Sequence, residues 1–184
     1  MYVGLLFGVL KQGKVRDCLA AFLDTYSLFA GLGVMLFPDT VFISTIGINI
    51  QTMVHHGSML VIGFYLLYTG YVKARHSTIL RAMPVFASAV ALAVIFNEIA
   101  HSSGLLENET FNMFYFSPYY EESNIPVYAM VHSAIDNYPV RLILYVFGFS
   151  LVAYIILLLA MAVKKLGFII TNRNKEKVYS NSSN

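Results

Sequence analysis

Residues 49–72, NIQTMVHHGSMLVIGFYLLYTGYV, make an apolar run of bilayer length with two adjacent histidines inside it. A helix needs about 20 mostly apolar residues to cross the hydrocarbon core. This run supplies them only if His55 and His56 enter as well. Three more runs of the same kind, 18–37, 79–100 and 140–163, leave little chain for anything else. With 58% hydrophobic and only 12% charged residues among 184, there is no stretch from which to build a separate soluble domain. The expected fold class is all-α: a polytopic membrane helical bundle of four full spans forming one domain over 1–163. A polar tail follows over 164–184, and its NSSN ending reads as disordered.

Two shorter pieces complete the layout. Met1 to Leu10 rises only about 15 Å as a helix, half a bilayer, so it is expected to be an N-terminal half-helix. It is not a signal peptide, because Lys11, Lys14 and Arg16 follow its apolar core instead of preceding it. Val127 to Tyr138 is also too short to span and reads as an interfacial or re-entrant helix.

The basic residues sort cleanly. Lys11, Lys14, Arg16, Lys73, Arg75, Arg81, Lys164, Lys165, Arg173, Lys175 and Lys177 all fall on one side of a four-span layout, with Arg141 alone on the other. Lys and Arg accumulate on the cytoplasmic side of membrane proteins. The expectation is a multi-pass cell-membrane protein whose C-terminus is cytoplasmic. Carboxylates, among them Asp39, Glu98 and Asp136, gather near the opposite face.

Ionisable groups within a span are costly and mark candidate sites. His55 and His56 are expected five to seven residues below the outer face, Asn97 and Glu98 in the last turn of the third span with His101 just beyond, and His132, Asp136 and Arg141 at the outer mouth of the fourth. Successive helical residues point about 100° apart, so only one of His55 and His56 is expected to be central. Glu98 and His101, at i and i+3, fit a salt bridge on one helix face as well as they fit metal ligation. A di-metal bundle needs that pattern twice, and only one copy is present, so no metal and no cofactor is expected. Arg141 is expected to pair with Asp136 or Glu98. Asp24 lies about two turns into the first span, where it reads as an inner-face polar contact or as a step on an ion or proton path. Cys18, the lone cysteine, begins that span at the inner face and reads as an interfacial thiol. No phosphate-binding glycine loop, no HExxH and no basic aromatic surface for nucleic acid is present.

The motifs LGVMLFPD (32–39), QTMVHHGSMLVIGFYLLYTGY (51–71), Phe96-Asn97, FNMFYFSPYY (111–120) and Ile125-Pro126-Val127-Tyr128 resemble the YwaF-type integral membrane protein family of bacteria over residues 15–163. Those proteins look related to a eukaryotic transmembrane phospholipid acyltransferase. The resemblance implies that His56, followed by Gly57, is the general base partner of a cysteine nucleophile, and that Asn97, Asn112 and Pro118 hold motif positions. The cysteine belongs to an upstream segment that this sequence lacks. By the resemblance the chain is a truncated or split member, with membrane lipid as substrate and an upstream fragment or a second membrane chain as partner. The alternatives are a permease or ion-translocating component that steps through Asp24, the histidine pair and Glu98, and a non-catalytic membrane scaffold. The acidic, aromatic loop 101–126 is expected to lie over the site as a lid.

Overall fold

A computed structural model describes residues 2–104, 111–119 and 134–182, giving the backbone alone for Thr40 and 168–182. Among these residues the chain is helical, with four helices long and apolar enough to cross a membrane. A short α1 (Tyr2–Val9) is the expected half-helix. Next come α2 (Lys14–Leu36), α3 (Ile46–Tyr68), α4 (Ser77–Ser103) and α5 (Tyr138–Ser182), of which Tyr138–Gly167 is the candidate span. The fold class is therefore as expected, while the ends of the helices move. α3 begins and ends three or four residues earlier than 49–72, because Gly70, at φ +71°, turns the chain before Val72. α4 runs to Ser103, where Gly104 takes the left-handed conformation that terminates helices. The backbone of α5 stays helical through the polar tail to Ser182, two residues into the NSSN ending expected to be disordered. Its lysines and glutamate are good helix formers, and extending an existing helix escapes the nucleation cost. Of the proposed interfacial helix 127–138, residues 127–133, His132 among them, lie outside the described residues, 135–137 are not helical, and Tyr138 begins α5.

Cross-helix contacts fix the directions. Gly31 on α2 meets His56, Met59 and Leu60 of α3, while Gly63 meets Leu23 and Leu28, so α2 and α3 are antiparallel. His76 reaches Tyr154, and Phe86 stacks near Phe149, so α4 and α5 are antiparallel too. Tyr26 of α2 stacks on Phe86 of α4 while Ala20 and Ala21 share a pocket with Thr78 and Arg81, which makes that pair parallel. Lys14, Arg16, Lys73, Arg75, Arg81, Lys164 and Lys165 consequently share one end, the basic end; Asp39, Glu98 and Asp136 lie toward the other.

The core lies among α2, α4 and α5. An aromatic ladder crosses it, from Phe22 to Tyr26 (5.8 Å between centroids), Phe86 (4.4 Å), Phe149 (6.0 Å), Tyr145 (4.3 Å) and Phe116 (5.1 Å). Such pairs contribute about 0.5–1.5 kcal/mol each beyond area burial. Where two backbones approach closely, alanine and glycine line the contact: Ala82, Ala93 and Ala153 are fully buried. A second, smaller cluster of Ala20, Leu23, Leu66 and Val72 seats α3 and α1 against the outer side of α2. α3 is thus peripheral, with only Gly63 and Leu66 buried.

Candidate functional site

Midway along α2 the helix widens into a π-turn over Leu23–Ser27. The Thr25 hydroxyl donates to the Ala21 carbonyl (2.7 Å), taking an acceptor that the backbone of an α-helix would use. A regular α-helix turns about 100° per residue and cannot bury five consecutive side chains against one core. With α3 on one side and α4 and α5 on the other, all five residues of the turn, Leu23, Asp24, Thr25, Tyr26 and Ser27, are buried. Tyr26 uses its burial well, stacking on Phe86 and donating to Ser150 Oγ (2.8 Å). Asp24 does not. It is 3% exposed, and neither Oδ1 nor Oδ2 has a hydrogen-bond partner among the described residues. The charge that acts on it across the bundle is Lys164 on α5. Of the inner-face polar contact expected of Asp24, the described residues show the charge of Lys164 and no hydrogen bond.

Helix spacing puts Asp24 on the same face of α2 as Ala20, Ala21 and Asp17 (i−4, i−3, i−7). Those three residues line a pocket of about 210 Å³ at the basic end. Asp24 lies one helical turn, about 5 Å, above the pocket's alanines.

The histidines sit deeper than expected. Counting from Ile46, His55 and His56 are the tenth and eleventh residues of α3, near its middle. The α3 start moved toward the N-terminus accounts for the difference. The two rings touch edge to face (4.9 Å, 81°), and both are half-buried. His56 Nδ1 donates to the Thr52 carbonyl (2.8 Å). A carbonyl only accepts, so Nδ1 carries the proton and Nε2 keeps the lone pair in the neutral ring. A Cβ built on Gly57, the next residue, meets nothing within 4 Å.

The remaining candidates gather elsewhere, at the far end of α4, around residues 111–119. Asn97, 1% exposed, holds both backbone groups of Met113: its Nδ2 donates to the carbonyl (3.2 Å), and its Oδ1 accepts from the amide (2.7 Å). Asn112 Oδ1 accepts from the Ser117 amide (2.8 Å). Glu98 accepts from Tyr119 (2.6 Å) and from Ser102 (3.0 Å), and the His101 ring lies flat on Tyr119 at 3.5 Å. Phe116 plugs the bundle against Tyr145. Phe114 and Tyr115 both hold positive φ (62° and 60°), a strained conformation for aromatic residues that these anchors maintain. The segment is a docked cap; the rest of the loop expected as a lid lies outside the described residues. The Tyr119 hydroxyl is held above the usual tyrosine range, first by its hydrogen bond to Glu98 and then by desolvation and the Glu98 charge.

Arg141 is buried (8% exposed), with its guanidinium 6.0 Å from the Tyr138 ring and Nε unbonded. Asp136 is exposed, and among the described residues Arg141 forms no ion pair with it or with Glu98. Sequence reasoning passed over Asn49, whose amide clasps both backbone groups of Ile43 (2.9 and 2.8 Å) as Asn97 clasps Met113. The signal was an asparagine within a turn of a helix end, bordering an irregular segment. His56 packs on the α3 side of α2 and the Asn97 cluster lies on α4. No hydrogen bond or ring contact joins them among the described residues.

Comparison with family models, characterised proteins and solved structures found no match to this chain.

Proposed function

We propose that the protein is an ion-translocating component of the cell membrane, with its basic end cytoplasmic, that loads a proton on Asp24. The observation that carries this reading is a carboxylate buried at the middle of a spanning helix with neither oxygen hydrogen-bonded. A buried charge without partners costs several kcal/mol, so the group needs a proton or a cation to sit there. Widened turns of this kind recur at functional sites, and so do ionisable groups inside spans. On this reading the proton approaches from the basic end, where a pocket lies one turn below.

The test is proton flux into proteoliposomes that carry an internal pH-sensitive dye under an imposed membrane potential. Flux above that of empty vesicles, lost in Asp24→Asn, supports the reading. Wild-type flux equal to empty vesicles, or flux that survives Asp24→Asn, overturns it.

A second reading, acyl transfer from membrane lipid in a relative of the YwaF-type proteins, is favoured by the His56 tautomer and the space at Gly57. A ring nitrogen with a free lone pair is what a general base requires. The nucleophile would come from another segment or chain. Release of fatty acid from vesicle phospholipid by membranes containing the protein, abolished in His56→Gln, would establish it.

A further inference from the structure

We infer that the pocket at the basic end binds the phosphate of an anionic glycerophospholipid headgroup. The pocket, about 210 Å³, is walled by the first turns of α2 (Asp17, Ala20, Ala21), by the 69–76 turn and by the first turn of α4. Lys73, Arg75 and Arg81 face it against the single carboxylate of Asp17, three positive charges to one negative. Among the described residues none of the three cations has a side-chain hydrogen bond or an ion pair. Arg16, by contrast, is already occupied, lying over the Phe7 ring (4.8 Å) and near Tyr71 (5.9 Å). Accumulation of Lys and Arg at one end would by itself give a solvated rim. Here they converge on a concavity with unspent donors, the arrangement that holds a phosphate.

A lipid fits better than a free anion because the pocket lies at the end of helices long and apolar enough to cross a membrane. The residues next in sequence, His76 and Ser77, open a second cavity of about 1,070 Å³ between α4 and α5. It is walled by Leu80, Met83, Leu142, Phe147 and other apolar side chains along the length of the spans. At its basic end His76 Nδ1 and the Tyr154 hydroxyl are hydrogen-bonded (2.6 Å). Arg75 lines the charged pocket and His76, next in sequence, lines the apolar groove on the α5 side of α4.

The experiment titrates the purified, detergent-solubilised full chain with short-chain phosphatidylglycerol, with phosphatidylcholine of the same chains and with inorganic phosphate. Retained lipid is read by native mass spectrometry and thermal shift. Phosphatidylglycerol should be held at least about tenfold more tightly than phosphatidylcholine, the equivalent of one good charge-assisted contact. Arg75→Gln with Arg81→Gln should erase that preference. Asp17→Asn should widen it, a direction that misfolding does not produce. Equal retention of the two lipids, persistence of the preference in the double variant, or equal stabilisation by inorganic phosphate would each overturn the inference. Retention is also measured in Asp24→Asn, where it should be unchanged, so this site and the proton-loading reading fail independently.

Discussion

At Asp24 the side chain and its surroundings pull in opposite directions. A buried polar group with no partner costs about 1–3 kcal/mol, and removing such a group is a recurrent way to stabilise a protein at the expense of its function. Asp24→Asn, and more so Asp24→Leu, should therefore raise the detergent melting temperature while lowering proton flux. A lower melting temperature for both variants would mean that the carboxylate has partners and is structural. Tyr119 offers a prediction of the opposite kind, on a group whose hydrogen bonds are satisfied. Its hydroxyl titrates above the ordinary tyrosine value of about 10 because it donates to Glu98. With the folded-state value raised, the stabilisation is fully present below about pH 10 and is lost as pH rises through the folded value. In an absorbance titration of the 13 tyrosines, Glu98→Gln should move one late-titrating tyrosine to lower pH. An unchanged curve would remove the Glu98–Tyr119 bond from the account of how residues 111–119 are held.

At the scale of helices, the crossing of α2 and α3 depends on two glycines. A Cβ on Gly63 would lie 2.9 Å from the Leu23 carbonyl and 2.9 Å from Leu28 Cβ, and one on Gly31 would lie 2.9 Å from the His56 carbonyl. Backbone atoms cannot move aside singly, so Gly63→Ala should cost about 1–3 kcal/mol. Gly57→Ala, on the same helix with nothing within 4 Å, should be neutral or gain up to about 1 kcal/mol from helix propensity. Equilibrium unfolding in mixed micelles compares the two, and equal effects would place the crossing elsewhere. These helices were legible in the sequence because apolar run length is imposed by the bilayer and needs no knowledge of neighbours. Their partners were not. Nothing in QTMVHHGSML announces that α3 packs mainly on α2, away from α4, and that peripheral position is what separates His56 from Asn97. The π-turn was hidden for a related reason. Hydroxyls of Ser58, Ser88 and Ser150 make the same bond to the carbonyl four residues back as Thr25 does, in helix that stays regular, so LDTYS reads as ordinary helix.

For the whole molecule, the sorting of charge was the most informative pattern in the sequence, and the antiparallel and parallel contacts bring those same cations to one end. The structure adds that the basic end is also the recessed one, holding the pocket of Lys73, Arg75 and Arg81, whereas the acidic end is capped by residues 111–119. A bundle with an open basic end and a docked cap opposite is asymmetric in the way a vectorial process needs. Which end faces the cytoplasm is then a mechanistic question, since it decides from which side Asp24 is approached. Lys and Arg in short connections resist translocation, which predicts that the basic end is inside. Cys18 is the one native cysteine, so Cys18→Ser provides a clean background. Asp136 and Lys165 are exposed at opposite ends. In intact cells a membrane-impermeant maleimide should label Asp136→Cys, and it should label Lys165→Cys only after the membrane is opened. The reverse pattern would place the arginine-lined pocket on the outer surface, and both the approach to Asp24 and the leaflet that supplies the bound lipid would change sides with it.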